Sequence, residues 1–412
     1  MKQLQTLLKE RKQRGYAIGM TEQIKEKNGV WFVPSASNPH KTYQVTLTLE
    51  GGTCTCEDFL LRQIKCKHYF AVQYTITKTQ NKDGTVTITQ TKKVTYPQNW
   101  KAYDKASIQQ KELFLKLLNG LCKTIEEKPY TFGRPKLPMR DMVFSSALKV
   151  YSTFSLRRFS TDMRDAKDKG LIGIAPYYST VARYMENQEL TQILNDLITT
   201  SSLPLRTIES SFGIDSTGFS PSKFSRWFSH KYGQIRDRKI WYKLHLVNGN
   251  ATHIITACEV TTQYISDMNE LPTLTEETHA NFDMKQLSAD KGYLSDNNLM
   301  FLDKLGVAGY IPFKTNTAPI TDKQSKNYHS DIWRNAYNYF AMHQSAFLQH
   351  YHDRSNTETV MHMVKSKFGD CVRSKTETAC INEILLKALC HNICVLIQEM
   401  FELGIKPEFL GA

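Results

Sequence analysis

The stretch Tyr351-His352-Asp353-Arg354-Ser355-Asn356-Thr357-Glu358, continued to Lys365, carries a phenol, a guanidinium, a carboxylate and an ammonium at offsets 0, 3, 7 and 14. At about 100° per residue on a helix these fall within about 60° of one another, so all four project from one face. That is a poor core pattern but a good way to hold a metal ion while gripping phosphates. Taken alone, the run reads as a solvated row of ion pairs; two further acids change the reading. Asp215 closes the run Ser211-Phe212-Gly213-Ile214 and precedes Ser216-Thr217-Gly218, a turn by composition. Asp290 closes Leu287-Ser288-Ala289 and precedes Lys291-Gly292-Tyr293. Two strand-end Asp and one helical Glu supply the hard oxygens that Mg²⁺-dependent phosphodiester cleavage requires. One ion activates the attacking oxygen and a second neutralises the leaving one.

A second constellation lies near the N-terminus. Cys54-Thr55-Cys56 and Cys66-Lys67-His68 place three thiols and one imidazole in two close pairs. Two such pairs can each clamp one edge of a tetrahedron, the geometry zinc prefers, and four protein ligands leave no open position. The expected site is therefore structural. The group Cys380, Cys390, His391 and Cys394 reads instead as the buried side of an apolar helix, where free cysteine is ordinary. Trp333 likewise reads as a core residue rather than a stacking one.

Trp31-Phe32-Val33-Pro34-Ser35, Tyr43-Gln44-Val45, Cys54-Thr55-Cys56-Glu57-Asp58-Phe59 and Cys66-Lys67-His68 together resemble the SWIM zinc-finger family over about residues 29–75. The resemblance implies a small ββα module that binds DNA or protein. Gly213-Ile214-Asp215-Ser216-Thr217, Ala289-Asp290-Lys291-Gly292-Tyr293 and the Tyr-x2-Arg-x3-Glu-x6-Lys run from Tyr351 to Lys365 resemble the DDE transposases of insertion sequences, over about residues 205–400. This implies a ribonuclease-H-like five-stranded mixed sheet, with Mg²⁺ or Mn²⁺ held by Asp215, Asp290 and Glu358. It also implies phosphate contacts from Tyr351, Arg354 and Lys365, with Lys291 beside them, at the transposon end. Cleavage and transfer of a 3′-hydroxyl into target DNA would follow, with a homodimer in the synaptic complex. Only 67 residues separate Asp290 from Glu358, which leaves out the room that the large β insertion of some relatives takes.

The elements that must position these residues divide into four stretches. Residues 1–28 read as a charged helix or arm. Residues 29–128 read as the zinc module, with a following strand over 84–96 and a helix over 106–128. Residues 129–204 read as a helical DNA-binding region that can form a helix-turn-helix, with Arg157, Arg158, Arg164 and Arg183 on phosphates. Residues 205–412 read as an α/β catalytic domain with strands over 207–215, 239–247 and 253–261, a short strand ending at Ala289, a strand over 308–313, and terminal helices.

Composition agrees with a polyanionic partner. The net charge is +13 and the pI about 9.1. Residues 1–128 hold 21 Lys and Arg against 11 Asp and Glu, so +10 of the surplus sits in the first third. The polar, lysine-rich start lacks a secretory pattern, no long uninterrupted apolar run spans a membrane, and nine cysteines in 412 residues make no disulfide scaffold. A cytoplasmic, nucleoid-associated protein is expected.

Overall fold

The computed structural model describes residues 11–15, 17–18, 24–27, 29–35, 41–48, 51–62, 65–80, 99–127, 129, 132–133, 135–221, 241–314, 317 and 329–409. The strand expected over 84–96 lies outside the described residues. The chain forms two compact units that divide between Thr95 and Tyr96.

The first unit is built on an antiparallel sheet of four strands, β1 (Lys25–Lys27), β2 (Val30–Pro34), β3 (Thr42–Thr48) and β4 (Gly51–Cys54), in that order. Two short helices follow, α1 (Glu57–Arg62) and α2 (Lys67–Gln80). The expected ββα module therefore gains two strands. Residues 25–27, assigned by sequence to the charged arm, pair with β2 in the register Lys25↔Phe32. Gly51 and Gly52, a pair that favours a turn by composition, instead start β4 and pair with Thr48 and Leu47. Gly52 is needed there, because a Cβ would sit 2.5 Å from the Thr46 carbonyl oxygen.

The second unit opens with helices α3 (Trp100–Cys122), α4 (Met139–Ser152), α5 (Leu156–Asp168), α6 (Tyr178–Met185) and α7 (Gln188–Ser202). A five-stranded sheet follows: β5 (Ser211–Phe219), β6 (Tyr242–Gly249), β7 (Ile255–Thr262), β8 (Gln286–Ala289) and β9 (Ala308–Tyr310), in the order β7-β6-β5-β8-β9. β6 is antiparallel to both neighbours, whereas β5, β8 and β9 run parallel. Helices α8 (Asp267–Asn281) and α9 (Asp296–Lys304) are threaded between strands. Then come α10 (Asp331–Met342), α11 (Gln344–Tyr351), α12 (Ser355–Phe368) and α13 (Glu377–Glu402).

Two cores cover the two faces of this sheet. Leu244, Leu246 and Val260 face α3–α7, α12 and α13. Phe212, Ile214 and Leu287 face α8, α9 and α10, where Trp333 is 3% exposed and packs on Phe313, a core residue as expected. Helix α3, grouped by sequence with the zinc module, packs against α4 and α13 in this second unit.

Helix α13 is the centre of the larger core. It is the one helix among the described residues long and apolar enough to cross a membrane, yet 94% of its apolar window is buried in the protein. Two carboxamides on it act as clasps. Asn382 donates to the carbonyls of Met185 and Asn187 and accepts from Thr191. Asn392 donates to the carbonyls of Ile198 and Ile255 and to Ser201 Oγ, and accepts from the Ile255 N–H. Cys390 donates to the Ala147 carbonyl and His391 bonds the His253 carbonyl, so this cluster is core packing, as the sequence suggested.

Glu399, also on α13, is 8% exposed, and burial, with Glu402 and Glu209 nearby, pushes its carboxyl up to about 7. A raised carboxyl favours the folded state below the unfolded pKa of about 4.3 and loses that contribution as pH climbs through about 7. Glu399→Gln is expected to flatten this part of the stability profile. Its melting temperature should fall less between pH 5 and pH 7.5 than the wild type's, and equal falls would remove Glu399 from the account.

Candidate active site

Strand pairing brings Asp215 and Asp290 together. β5 and β8 are parallel with Ile214 opposite Ala289, so the next residue on each is an acid. Asp290 follows the last residue of β8 and starts a 3₁₀ turn over Lys291–Tyr293. Asp215, by contrast, lies in the middle of its strand and not at its end. Ser216-Thr217-Gly218 continues the ladder against β6, with Gly218 opposite Lys243, so the expected turn is absent there. A Cβ on Gly218 would meet the Trp241 ring at 2.9 Å, so glycine serves close packing here. At its other end β5 starts four residues later than expected. Glu209, 2% exposed, turns inward to accept from the N–H groups of Ala251 and Thr252.

The Asp215 side chain is 16% exposed. Burial pushes its carboxyl up, the Ser216 N–H and the Arg354 guanidinium pull it down, and the charge of Asp290 pushes it up again. Burial wins. The ionised form of Asp215 is thus short of compensation, a deficit that a divalent cation relieves.

Glu358 enters from the first turn of α12. The helical face inferred from sequence is not one continuous α-helix. α11 ends at Tyr351, a 3₁₀ turn spans His352–Arg354, and α12 begins at Ser355. A 3₁₀ turn advances three residues per turn, which rotates the two helices relative to a straight rod. Asp353 anchors the break, accepting from Ser211 Oγ at 3.3 Å and Gln286 Nε2 at 3.1 Å. Arg354 then spans two of the acids: Nη2 donates to Asp215 Oδ2 at 2.6 Å and Nη1 to Glu358 Oε1 at 2.8 Å.

Tyr351 lies within electrostatic reach of all three acids. Burial raises its phenol, Arg354 opposes, and Asp290, Asp215 and Glu358 add to the rise. Lys365 donates to Thr217 Oγ1 at 2.5 Å and lies 5.3 Å from the centre of the Phe219 ring. Lys291 is exposed beside Asp290 and makes no ion pair among the described residues.

Close approach of α12 to β5 depends on Gly213. A Cβ there would lie 2.2 Å from Thr357 Oγ1, a stiff β-branched side chain on a buried helix face. Gly213→Ala is expected to cost about 1–3 kcal/mol and to push Glu358 away from Asp215. Thr357→Ala in the same chain should recover the melting temperature, and unchanged melting of the single variant contradicts this packing.

Several site residues escaped the sequence. Tyr293 is 1% exposed, and burial raises its phenol further than Asp215 and Asp267 do. Asp267 accepts from Ser216 Oγ at 3.1 Å and Lys243 Nζ at 3.0 Å, which steadies the backbone beside Asp215. Thr217 and Asp353 lay inside the motifs, where their types could have flagged them. Asp267 had no local signal, because its partners are remote in sequence.

In the first unit, Cys54 closes β4, Cys56 precedes α1, and Cys66 and His68 flank the start of α2. All four are buried, and their ligating atoms lie within 4.8 Å of one another. Cys54 Sγ and His68 Nδ1 are 3.9 Å apart, close to the about 3.6 Å edge of a zinc tetrahedron. Hydrogen bonds from Cys54 and His68 pull the Cys66 thiol well down, against burial. The Phe59 N–H donates to Cys56 Sγ at 3.4 Å, and His68 Nε2 is buried without a partner. Three sulfur donors, the lowered Cys66 thiol and an imidazole whose buried Nε2 has no partner fit zinc. Among the described residues no second group of this kind occurs.

In the helical region, α5 and α6 are separated by residues 169–177. That is longer than the 3–4-residue turn of a helix-turn-helix. Arg157, Arg158, Arg164 and Arg183 are exposed, with Arg157 5.5 Å from the centre of the Tyr178 ring.

Two known families match parts of the chain. Residues 209–393 match the family described as a transposase DDE domain, a span that contains Asp215, Asp290, Glu358 and Lys365. Residues 43–72 match the SWIM zinc finger and contain all four zinc-ligand candidates.

Proposed function

We infer that this chain, which carries a transposase DDE domain behind a SWIM zinc finger, is an active DNA transposase. It cleaves transposon ends and transfers the freed 3′-hydroxyl into target DNA. The observation that supports this reading is the strand pairing that sets Asp215 beside Asp290, with Arg354 linking Asp215 to Glu358. The strand order, with one antiparallel strand inside an otherwise parallel run, supports a ribonuclease-H-like core.

Asp215, Asp290 and Glu358 would hold Mg²⁺ or Mn²⁺; their donors are all hard oxygens, and the ionised Asp215 is under-compensated. When bound, the ions activate the attacking oxygen and neutralise the leaving one. Arg354 keeps Asp215 and Glu358 oriented toward each other, and its planar fork can also meet a phosphate. Tyr351, Lys365 and Lys291 grip backbone phosphates beside the scissile bond. The exposed arginines of α5 and α6 add contacts along the end sequence. The SWIM module contributes DNA or protein contacts, and two copies of the chain pair in the synaptic complex, on DNA in the nucleoid.

The test is incubation of the full chain with Mg²⁺, labelled end duplex and a target plasmid. Nicked ends and joined product are expected. Binding without nicking points to a silent DNA-binding descendant, and nicking without joining points to a nuclease of the same fold; either overturns the transposase reading.

A further inference from the structure

Asp215 is held at both oxygens. Oδ2 accepts from Arg354 Nη2 at 2.6 Å and Oδ1 from the Ser216 N–H at 2.8 Å. Arg354 divides its guanidinium between Asp215 and Glu358, so the Ser216 N–H is the donor that Asp215 does not share with Glu358. Beyond Ile214, β5 has no strand beside it on the β8 side, because β8 stops at Ala289. The aim of that N–H therefore rests on β6 and on whatever holds the Ser216 side chain.

Successive side chains leave opposite faces of a strand. The Ser216 hydroxyl thus turns away from the Asp215 carboxylate, to the face that α8 covers, and donates to Asp267 Oδ1 at 3.1 Å. Asp267 stands in the first turn of α8, where a carboxylate ordinarily serves the free N–H groups of its own helix. Its hydrogen bonds go to the sheet instead. Besides Ser216, Lys243 Nζ donates to Asp267 Oδ1 at 3.0 Å and is itself fixed by the Ile265 carbonyl at 2.8 Å. His245, 0% exposed and opposite Ser216 on β6, closes the group from below. Its Nε2 lies 2.8 Å from Thr261 Oγ1 and its Nδ1 3.7 Å from Asp267 Oδ1. Docking of α8 does not need this arrangement, since Leu271 and Leu274 already bury that helix in the apolar core.

We propose that Asp267 is a positioning residue for the metal site: by holding the Ser216 hydroxyl it aims the Ser216 N–H at Asp215 Oδ1. The link passes through the strand, from the α8 face to the α12 face, so Asp267 acts on the ligand without touching it. With Oδ1 and Oδ2 each given one fixed donor, the remaining lone pairs of Asp215 keep one direction. Groups that orient a metal ligand in this way commonly matter about 10–100-fold to metal affinity. The inference rests on the reading of Asp215 as a metal ligand.

The full, zinc-loaded chain titrated with Mn²⁺ alone tests it, bound ion being read from the loss of the free-ion electron paramagnetic resonance signal. Asp267→Ala and Ser216→Ala should each weaken Mn²⁺ binding about tenfold. The double variant should bind no more weakly than either single one, because both cut the same link. Asp267→Asn loses the charge as Asp267→Ala does, but keeps an oxygen for Ser216, so it should regain most of the affinity. Losses that add in the double variant, or no recovery in Asp267→Asn, overturn the proposal in favour of a direct or purely electrostatic role. Should Asp267→Ala fail to fold, Ser216→Ala against Asp267→Asn decides, and equal affinities contradict the link. Unchanged affinity in every variant of a chain that binds Mn²⁺ removes Asp267 and leaves the transposase reading standing. A wild type that takes up no Mn²⁺ ends both.

Discussion

Asp215→Asn, Asp290→Asn and Glu358→Gln should each reduce Mg²⁺-dependent nicking of end DNA by about 10³-fold or more. Metal-ion stabilisation of a displacement at phosphorus is worth several kcal/mol, and each 1.4 kcal/mol is about tenfold in rate. Each change removes one anionic oxygen from the set while keeping the side chain's shape. The three should not cost the same stability. Asp215→Asn relieves a carboxylate that burial already destabilises, so its variant is expected to melt at or above the wild-type temperature. Glu358→Gln alters a side chain that is 61% exposed and should leave melting nearly unchanged. DNA binding without metal should persist in all three. Wild-type turnover by any one of them would remove that residue from the metal site.

The second large effect concerns zinc. Chelation, or Cys66→Ser, should unfold the unit formed by residues 1–95 while the unit 96–412 keeps its cooperative melting. Structural zinc in small modules contributes an apparent roughly 10–16 kcal/mol of folding free energy. The apolar core that would remain around Val33, Val45 and Val72 is too small to replace it. Limited proteolysis reads the result. Cleavage within residues 29–75 should follow chelation and stop when zinc is restored, and unchanged protection after chelation would sink the structural role.

How much of this was visible in the sequence depended on how local the cause was. The zinc ligands were legible because their two short pairs are themselves the geometric requirement. The acid after Ala289 was legible because β8 does end there. Asp215 was misplaced within its strand because Ser-Thr-Gly is turn-forming by propensity. An eight-residue antiparallel pairing with β6, and Trp241 stacked where Gly218 lacks a side chain, override that propensity. The helical face from Tyr351 to Lys365 was inferred correctly in direction and not in continuity. The 3₁₀ break is set by Asp353 reaching Ser211 and Gln286, residues remote in sequence. The same remoteness hid the Arg354 bridge and the Asp267 contacts. Likewise the strand pairing of residues 25–27 follows from Phe32 and Trp31 opposite them rather than from their own lysine-rich composition.

The carboxamides of Asn382 and Asn392 reach from the closing helix to both the arginine-bearing helical layer and the β-sheet. That wiring limits how this chain could be recombined. An exchange that replaced the helices ahead of residue 205 would strand two buried amides unless the helix bearing Asn382 and Asn392 came along with it. The two segments are therefore constrained to change together, although they lie far apart in the sequence.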